Sequence, residues 1–245
     1  MLVFGNQRAG VCHAAWWLNK ERNNAMANTN FLNRLLTSNG ASAEAQCTNF
    51  VRWERRTRLL ETPFDGATIG EAQGVYIIAL DEYCGSINVH PTASHITPNA
   101  IYVGSVGTFT KSTTSPLAPK TTLAKRLVQF QESAKCGNGN HAGGNSFYEQ
   151  FDWPKEGEGL AVALWPVAAV DSEIAENSEH LKRVIGLLEA LCITGNADAK
   201  YTTEDRYSRL RGVPKLLNKR IHVPDIFGND HGFFVSPGGL PDSVK

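Results

Sequence analysis

Apolar residues in this chain gather in two ways: short unbroken runs, and longer series spaced by three and four. Gly74-Val75-Tyr76-Ile77-Ile78-Ala79-Leu80 and Ala100-Ile101-Tyr102-Val103-Gly104 are of the first kind. Both are brief, β-branched and aromatic, and bounded by Gly, Pro or Asn, which predicts buried strands. Leu160 to Val167, preceded by the acidic turn Glu156-Gly157-Glu158-Gly159, predicts a third. Helical spacing places Leu123, Leu127 and Phe130 on the core face of a helix starting near Thr121 or Thr122. It also places Leu181, Val184, Ile185, Leu188, Leu191 and Cys192 on one stripe of a helix from Ser178 to Ile193, stopped by Gly195-Asn196. Residues 1–65 read as a helical extension, with helices over Trp16–Leu36 and Ser42–Leu60 separated by Asn39-Gly40. In the second of these, Cys47, Phe50, Val51 and Glu54 share a face.

The polar stretches supply the connections. Pro63 to Gly70 reads as a linker, and Asp81–Asn99 and Thr108–Thr122 as excursions from the sheet. Cys136–Asn145, with Gly143-Gly144-Asn145, reads as a loop, and the Gly/Pro-rich residues from Val223 as a surface tail. The expected fold is α/β of the α+β kind. A small, mainly antiparallel three-stranded sheet flanked by helices occupies residues 66–222, after the extension 1–65 and before the tail 223–245.

Composition narrows the function classes. No apolar run approaches the roughly 20 residues of a membrane span. Five scattered cysteines and an N-terminus without a signal-peptide pattern lead to the expectation of a cytoplasmic protein with reduced thiols. Lys+Arg and Asp+Glu are equal at 24 each, so nucleic-acid binding would have to use local patches. Basic residues do cluster, at Arg52–Arg58, Lys111–Lys135 and Lys200–Arg220. Arg52, Arg55 and Arg56 would form one stripe on the predicted helix, either a solvated face or a phosphate-contacting arm. Cys136 and His141 lack a second ligand pair at zinc-site spacing, and serine and cysteine nucleophile motifs are absent.

Two charged residues stand at core margins. Glu189 lies beside Ile185 and Cys192 on the helical wheel, so its carboxylate is partly desolvated and needs a partner, either an Arg or Lys or a metal ion. Arg126 lies one turn from Leu123 and Phe130, at the edge of that apolar stripe.

Taken in order, the Gly-Val-Tyr strand, the Ile-Tyr-Val-Gly strand, Arg126, the Leu-Leu-Glu-Ala-Leu helix and Pro214-Lys215-Leu216-Leu217-Asn218 resemble the GIY-YIG nuclease superfamily, over roughly Gln73 to Arg220. The resemblance implies a metal-dependent endonuclease that hydrolyses phosphodiesters of double-stranded DNA. A single Mg²⁺, or another divalent cation such as Mn²⁺, would sit on Glu189, and Arg126 would bind a non-bridging phosphate oxygen. Tyr76 would take the proton of the nucleophilic water, Tyr102 would hydrogen-bond that water or the phosphate, and Asn218 would orient ligands. A phenol with its ordinary pKa of about 10 is a poor base at neutral pH, so cationic charge nearby would have to lower it. The long gaps after Tyr76 and Tyr102 are similar to those of restriction-enzyme members. Some members carry a His one turn after the Arg, where this chain has Phe130; His141 and Lys125 are the alternative proton carriers. Arg52, Arg55, Arg56, Lys111, Lys120, Lys125, Arg209 and Arg211 are the expected DNA contacts, and a palindromic target would call for a homodimer or sequential nicking. The competing reading is a catalytically inactive nucleic-acid-binding module on the same scaffold. The active reading requires Tyr76, Tyr102, Arg126 and Glu189 to converge.

Overall fold

The two tyrosine strands pair with each other and form the centre and one edge of an antiparallel sheet. The computed structural model describes residues 41–42, 44–80, 100–107, 121–151, 153, 159–169, 179–194, 200, 210–218, 221–223 and 233–235. Strands β1 (Val51–Arg52), β4 (Ala72–Leu80), β5 (Ala100–Val106) and β6 (Leu160–Ala169) form the main sheet in the order β1-β6-β4-β5. Two hairpins accompany it: β2 (Pro63–Phe64) with β3 (Ala67–Thr68), and β7 (Ile221–Val223) with β8 (Phe233–Val235). The helices are α1 (Arg56–Leu60), α2 (Leu123–Cys136), α3 (Ala142–Gln150) and α4 (Glu179–Thr194). The predicted Trp16–Leu36 helix and the excursions 81–99 and 108–120 lie outside the described residues. None of the described helices is long and apolar enough to cross a membrane.

β4 and β6 read as unbroken apolar runs because both of their faces are covered. On one face Tyr76, Ile78 and Leu80 pack with Leu123, Leu127 and Phe130 of α2 and Phe147 of α3. On the other, Val75 and Ile77 pack with Val103, Trp165 and the α4 stripe of Leu181, Val184, Ile185 and Leu188. Thr122 caps α2 by accepting the Lys125 N–H, and Gly137, at φ 74°, closes it in the left-handed conformation.

Several expectations are corrected. The sheet has a fourth strand, because the predicted Ser42–Leu60 helix is mostly extended. Ser42 N–H donates to Val167 O at 2.8 Å and Thr48 N–H to Leu164 O at 2.8 Å, so this segment follows the otherwise open side of β6. Pairing a free strand edge outweighs a helical spacing of apolar residues that Thr48, Phe50 and Val51 also suit as strand. Only Arg56–Leu60 is α-helical, after the 3₁₀ turn Trp53–Arg55. The supposed linker Pro63–Gly70 holds the β2–β3 hairpin, whose Asp65 and Gly66 both have positive φ (51° and 78°), as a tight two-residue turn requires. The Gly/Asn stretch read as a loop contains the first turn of α3. The stretch read as a tail contains β8, paired to β7 across the Val223 boundary.

Candidate functional site

The register of the sheet sets Tyr76 directly opposite Gly104. A methyl group at Gly104 would lie 2.2 Å from the Tyr76 hydroxyl, so only a glycine lets that phenol run across the neighbouring strand. Tyr102 needs a second cut-out: a Cβ at Gly143 in α3 would come within 2.3 Å of its ring. The two rings, 6.1 Å apart, meet His141 at 6.0 Å and 5.4 Å, with Phe130 edge-on to the imidazole at 5.3 Å. Tyr76 is fully buried, whereas Tyr102 keeps 9 % of its surface exposed.

His141 is the residue that sequence reasoning left unplaced. Its Nε2 lies 2.6 Å from the Tyr76 hydroxyl oxygen. Its Nδ1 accepts the Gly144 N–H at 3.1 Å, so the imidazole is also the N-cap of α3. Its own N–H donates to Ser133 Oγ at 3.1 Å, which ties the cap to α2. The signal available in the sequence was a polar residue just ahead of a helix start, hidden because two consecutive glycines argue against a helix.

Glu189 lies on α4, which packs on the opposite face of the sheet, and is bonded to the edge strand β5. Its half-buried carboxylate accepts the Ser105 hydroxyl at 2.6 Å. Burial raises its pKa to about 7, against the opposing effects of Ser105 and the charge of Arg126. Half-buried Arg126 donates Nη1 to Gln129 at 2.9 Å, and its charge acts on Tyr76, Tyr102, His141 and Glu189 alike. Glu189 in turn acts on both tyrosines. Four side chains from four separate elements therefore form one electrostatic cluster.

That cluster does not lower the phenols as a base would need. Burial is the largest effect on both. It holds Tyr76 well above the ordinary value and brings Tyr102 to about 12, and Glu189 pushes each further up while Arg126 opposes. At neutral pH both phenols keep their protons. Burial likewise lowers His141 to about 3, with Arg126 adding to the effect.

No family model matches this chain, and no curated protein or solved structure is significantly similar to it. The case for function therefore rests on the residues themselves.

The remaining expected site residues fall in different places. Asn218 lies beside β5, where its amide pairs with one residue of the strand: Oδ1 accepts the Val103 N–H at 3.0 Å and Nδ2 donates to Val103 O at 2.7 Å. With Leu217 N–H donating to Ile101 O at 2.7 Å, the side chain acts as the last rung of a short edge pairing. The side chain therefore has a structural task at the β5 edge. Arg56 is also occupied by the fold, donating to Trp53 O and to Gln131 Oε1 and stacking 4.7 Å above the Trp53 ring. Arg52 and Arg55 are exposed beside a depression of about 400 Å³, shared with Phe50 and Val51. They belong to the β1 side of the sheet, three strand spacings or about 14 Å from β5. Lys125 and Arg211 are exposed. Lys111, Lys120 and Arg209 lie outside the described residues.

Two outcomes check these placements. Asn218→Ala is expected to cost about 2 kcal/mol of stability, for two backbone hydrogen bonds on a half-buried edge, and to leave activity per folded molecule within a few-fold. Denaturant titration measures the first. A hundredfold loss of activity at unchanged stability would support the ligand role. For His141 the sign follows from its low pKa. The unfolded chain takes up a proton below about pH 6.5 and the folded chain does not until about pH 3, so stability falls as pH drops through that window. The slope is at most about 1.4 kcal/mol per pH unit. His141→Asn, which keeps a cap oxygen, is expected to remove this component, read as a flatter plot of denaturation midpoint against pH.

Proposed function

We propose that this chain is a divalent-metal-dependent endonuclease cutting double-stranded DNA on a GIY-YIG-like scaffold, with a phosphate-binding arginine, a metal-binding glutamate and a pair of phenols. The observation that carries the reading is the electrostatic cluster of Tyr76, Tyr102, Arg126 and Glu189 at the β5 edge, drawn from four separate elements. The donor set suits one hard cation with most of its waters retained. Among the described residues there is no group of three or more His, Cys, Asp or Glu able to cage a metal, and Glu189 offers a desolvated carboxylate whose charge a cation would balance. Mg²⁺ or Mn²⁺ bound there supplies positive charge for the phosphoryl oxygens and the departing 3′-oxygen. Arg126 binds a non-bridging oxygen with its planar fork. Tyr102 serves as a donor toward the phosphate with Tyr76 behind it; burial holds both of their protons, so the proton of the attacking water passes to bulk solvent. Restriction-type cleavage in the cytoplasm is the proposed setting, and a palindromic site cut in both strands would engage two copies.

The same protonated phenols favour a second reading, a nucleic-acid-binding module without catalysis. Incubation with unmethylated supercoiled plasmid separates the two. Nicked or linear product with Mg²⁺ or Mn²⁺, abolished by EDTA, is expected; intact plasmid at every metal, together with salt-dependent DNA binding, would favour the module.

A further inference from the structure

His141 has two ring nitrogens, and the structure constrains both. Nδ1 accepts a backbone N–H from Gly144, so it carries no proton. A neutral imidazole must then carry its proton on Nε2, which lies 2.6 Å from the Tyr76 oxygen. His141 therefore donates to Tyr76 and cannot take its proton. The Tyr76 hydroxyl, accepting from His141, has its own hydrogen left for Tyr102, with which it is hydrogen-bonded. The Tyr102 hydrogen is then directed away from Tyr76, and Tyr102 is the phenol that keeps exposed surface.

We propose that His141 is a positioning residue that fixes the direction of a donor chain, His141 Nε2–H to Tyr76 Oη–H to Tyr102 Oη–H, so that Tyr102 presents a hydrogen-bond donor to an anionic oxygen of the substrate. The nature of that substrate rests on the phosphodiesterase reading; the direction of the chain does not. Each donor strengthens the next, since a hydroxyl that accepts a hydrogen bond becomes a better donor. Tyr102 is then the phenol that meets phosphate, and Tyr76 supports it from behind. The cap explains how one side chain holds this polarity: freeing Nδ1 for a proton would leave the Gly144 N–H without its acceptor.

The tautomer is read directly by long-range ¹H–¹⁵N NMR of the histidine rings in the full chain. An unprotonated Nδ1 and protonated Nε2 for His141, identified by loss of its signals in His141→Asn, are expected; the reverse tautomer overturns the proposal whether or not the protein cuts DNA. Two substitutions separate the two nitrogens. His141→Asn keeps an oxygen to cap α3 but loses the donor to Tyr76; it should melt near wild type and lose at least tenfold in kcat for plasmid cleavage with KM little changed. His141→Gln keeps an N–H near Tyr76 but loses the cap; it should melt lower and retain more kcat than the Asn variant. Tyr76→Phe with His141→Asn should be no slower than Tyr76→Phe alone. Wild-type kcat in His141→Asn, or additive losses in the double variant, would overturn the chain. If the plasmid stays intact while the Nε2–H tautomer is found, the nuclease reading fails and the donor direction stands.

Discussion

Glu189→Gln is expected to lower plasmid cleavage by about 10³-fold, the usual scale for losing one electrostatic contact to a transition state, while leaving the protein at least as stable as wild type. The two effects part because the carboxylate is poorly placed for stability. Burial raises its pKa to about 7, so the fold disfavours the charge. Glutamine keeps the volume and an oxygen to accept the Ser105 hydroxyl, the contact now made at 2.6 Å. What is lost is the negative charge that would hold a cation. Mg²⁺ should therefore raise the melting temperature of wild type and not of the variant, since a ligand stabilises only the form that binds it. Thermal melts with and without Mg²⁺, run beside the cleavage assay, check both halves. Wild-type cleavage by the variant would remove Glu189 from the chemistry, and a much lower melting point would make it an ordinary structural residue.

Gly104→Ala is expected to damage the fold and the site together. The added methyl would stand 2.2 Å from the Tyr76 hydroxyl and 2.3 Å from the ring carbon that carries it. Neither neighbour can yield: Gly104 is paired to β4 within the sheet, and Tyr76 is wholly buried under α2 and α3. Overpacking of this kind costs about 3 kcal/mol, which for a chain of this size lowers the melting temperature by roughly 10 °C. Cleavage should fall further than stability, because relief of the clash moves the Tyr76 oxygen away from His141 Nε2. Tyr76→Phe in the same background should restore little, since the ring carbon is as close as the oxygen. A Gly104→Ala protein with wild-type melting and activity would mean that the strand shifts as a unit, and the cut-out would have no consequence.

These cases mark what could be read in the sequence. Strands β4, β5 and β6 and helices α2 and α4 were legible because their apolar spacing is repeated and their ends carry turn residues. Arg126 and Glu189 were placed by the same periodicity, since a charged residue at the margin of an apolar stripe is placed by the stripe, whereas Tyr76 and Tyr102 were singled out by the resemblance to the GIY-YIG superfamily. His141 was not legible as part of the site, because the glycines after it serve tertiary fit. A side chain at Gly143 would strike Tyr102, and one at Gly144 would strike Phe130 O. Local propensity records only their cost to a helix. β1 was hidden for a similar reason: Val51 and Arg52 are strand because β6 lies beside them, and a two-residue strand leaves no period to detect. The Asp65-Gly66 hairpin, by contrast, carried a turn signal that the linker reading passed over. The pairing of the Asn218 amide with the Val103 backbone was not legible, since spacing gives no account of which backbone groups an amide will meet.

Three of the contacts at and beside the site join distant parts of the chain. Tyr76 and His141 are 65 residues apart, Ser105 and Glu189 are 84 apart, and Val103 and Asn218 are 115 apart. Each loop must close before its contact gives any return, so such pairings form slowly and late in folding. No local piece of the chain contains a working subset of them. A nascent or truncated chain ending before Glu189 would carry both phenols and the arginine yet lack the carboxylate. On the proposed nuclease reading, competence would then arrive only once the chain has been made past Glu189.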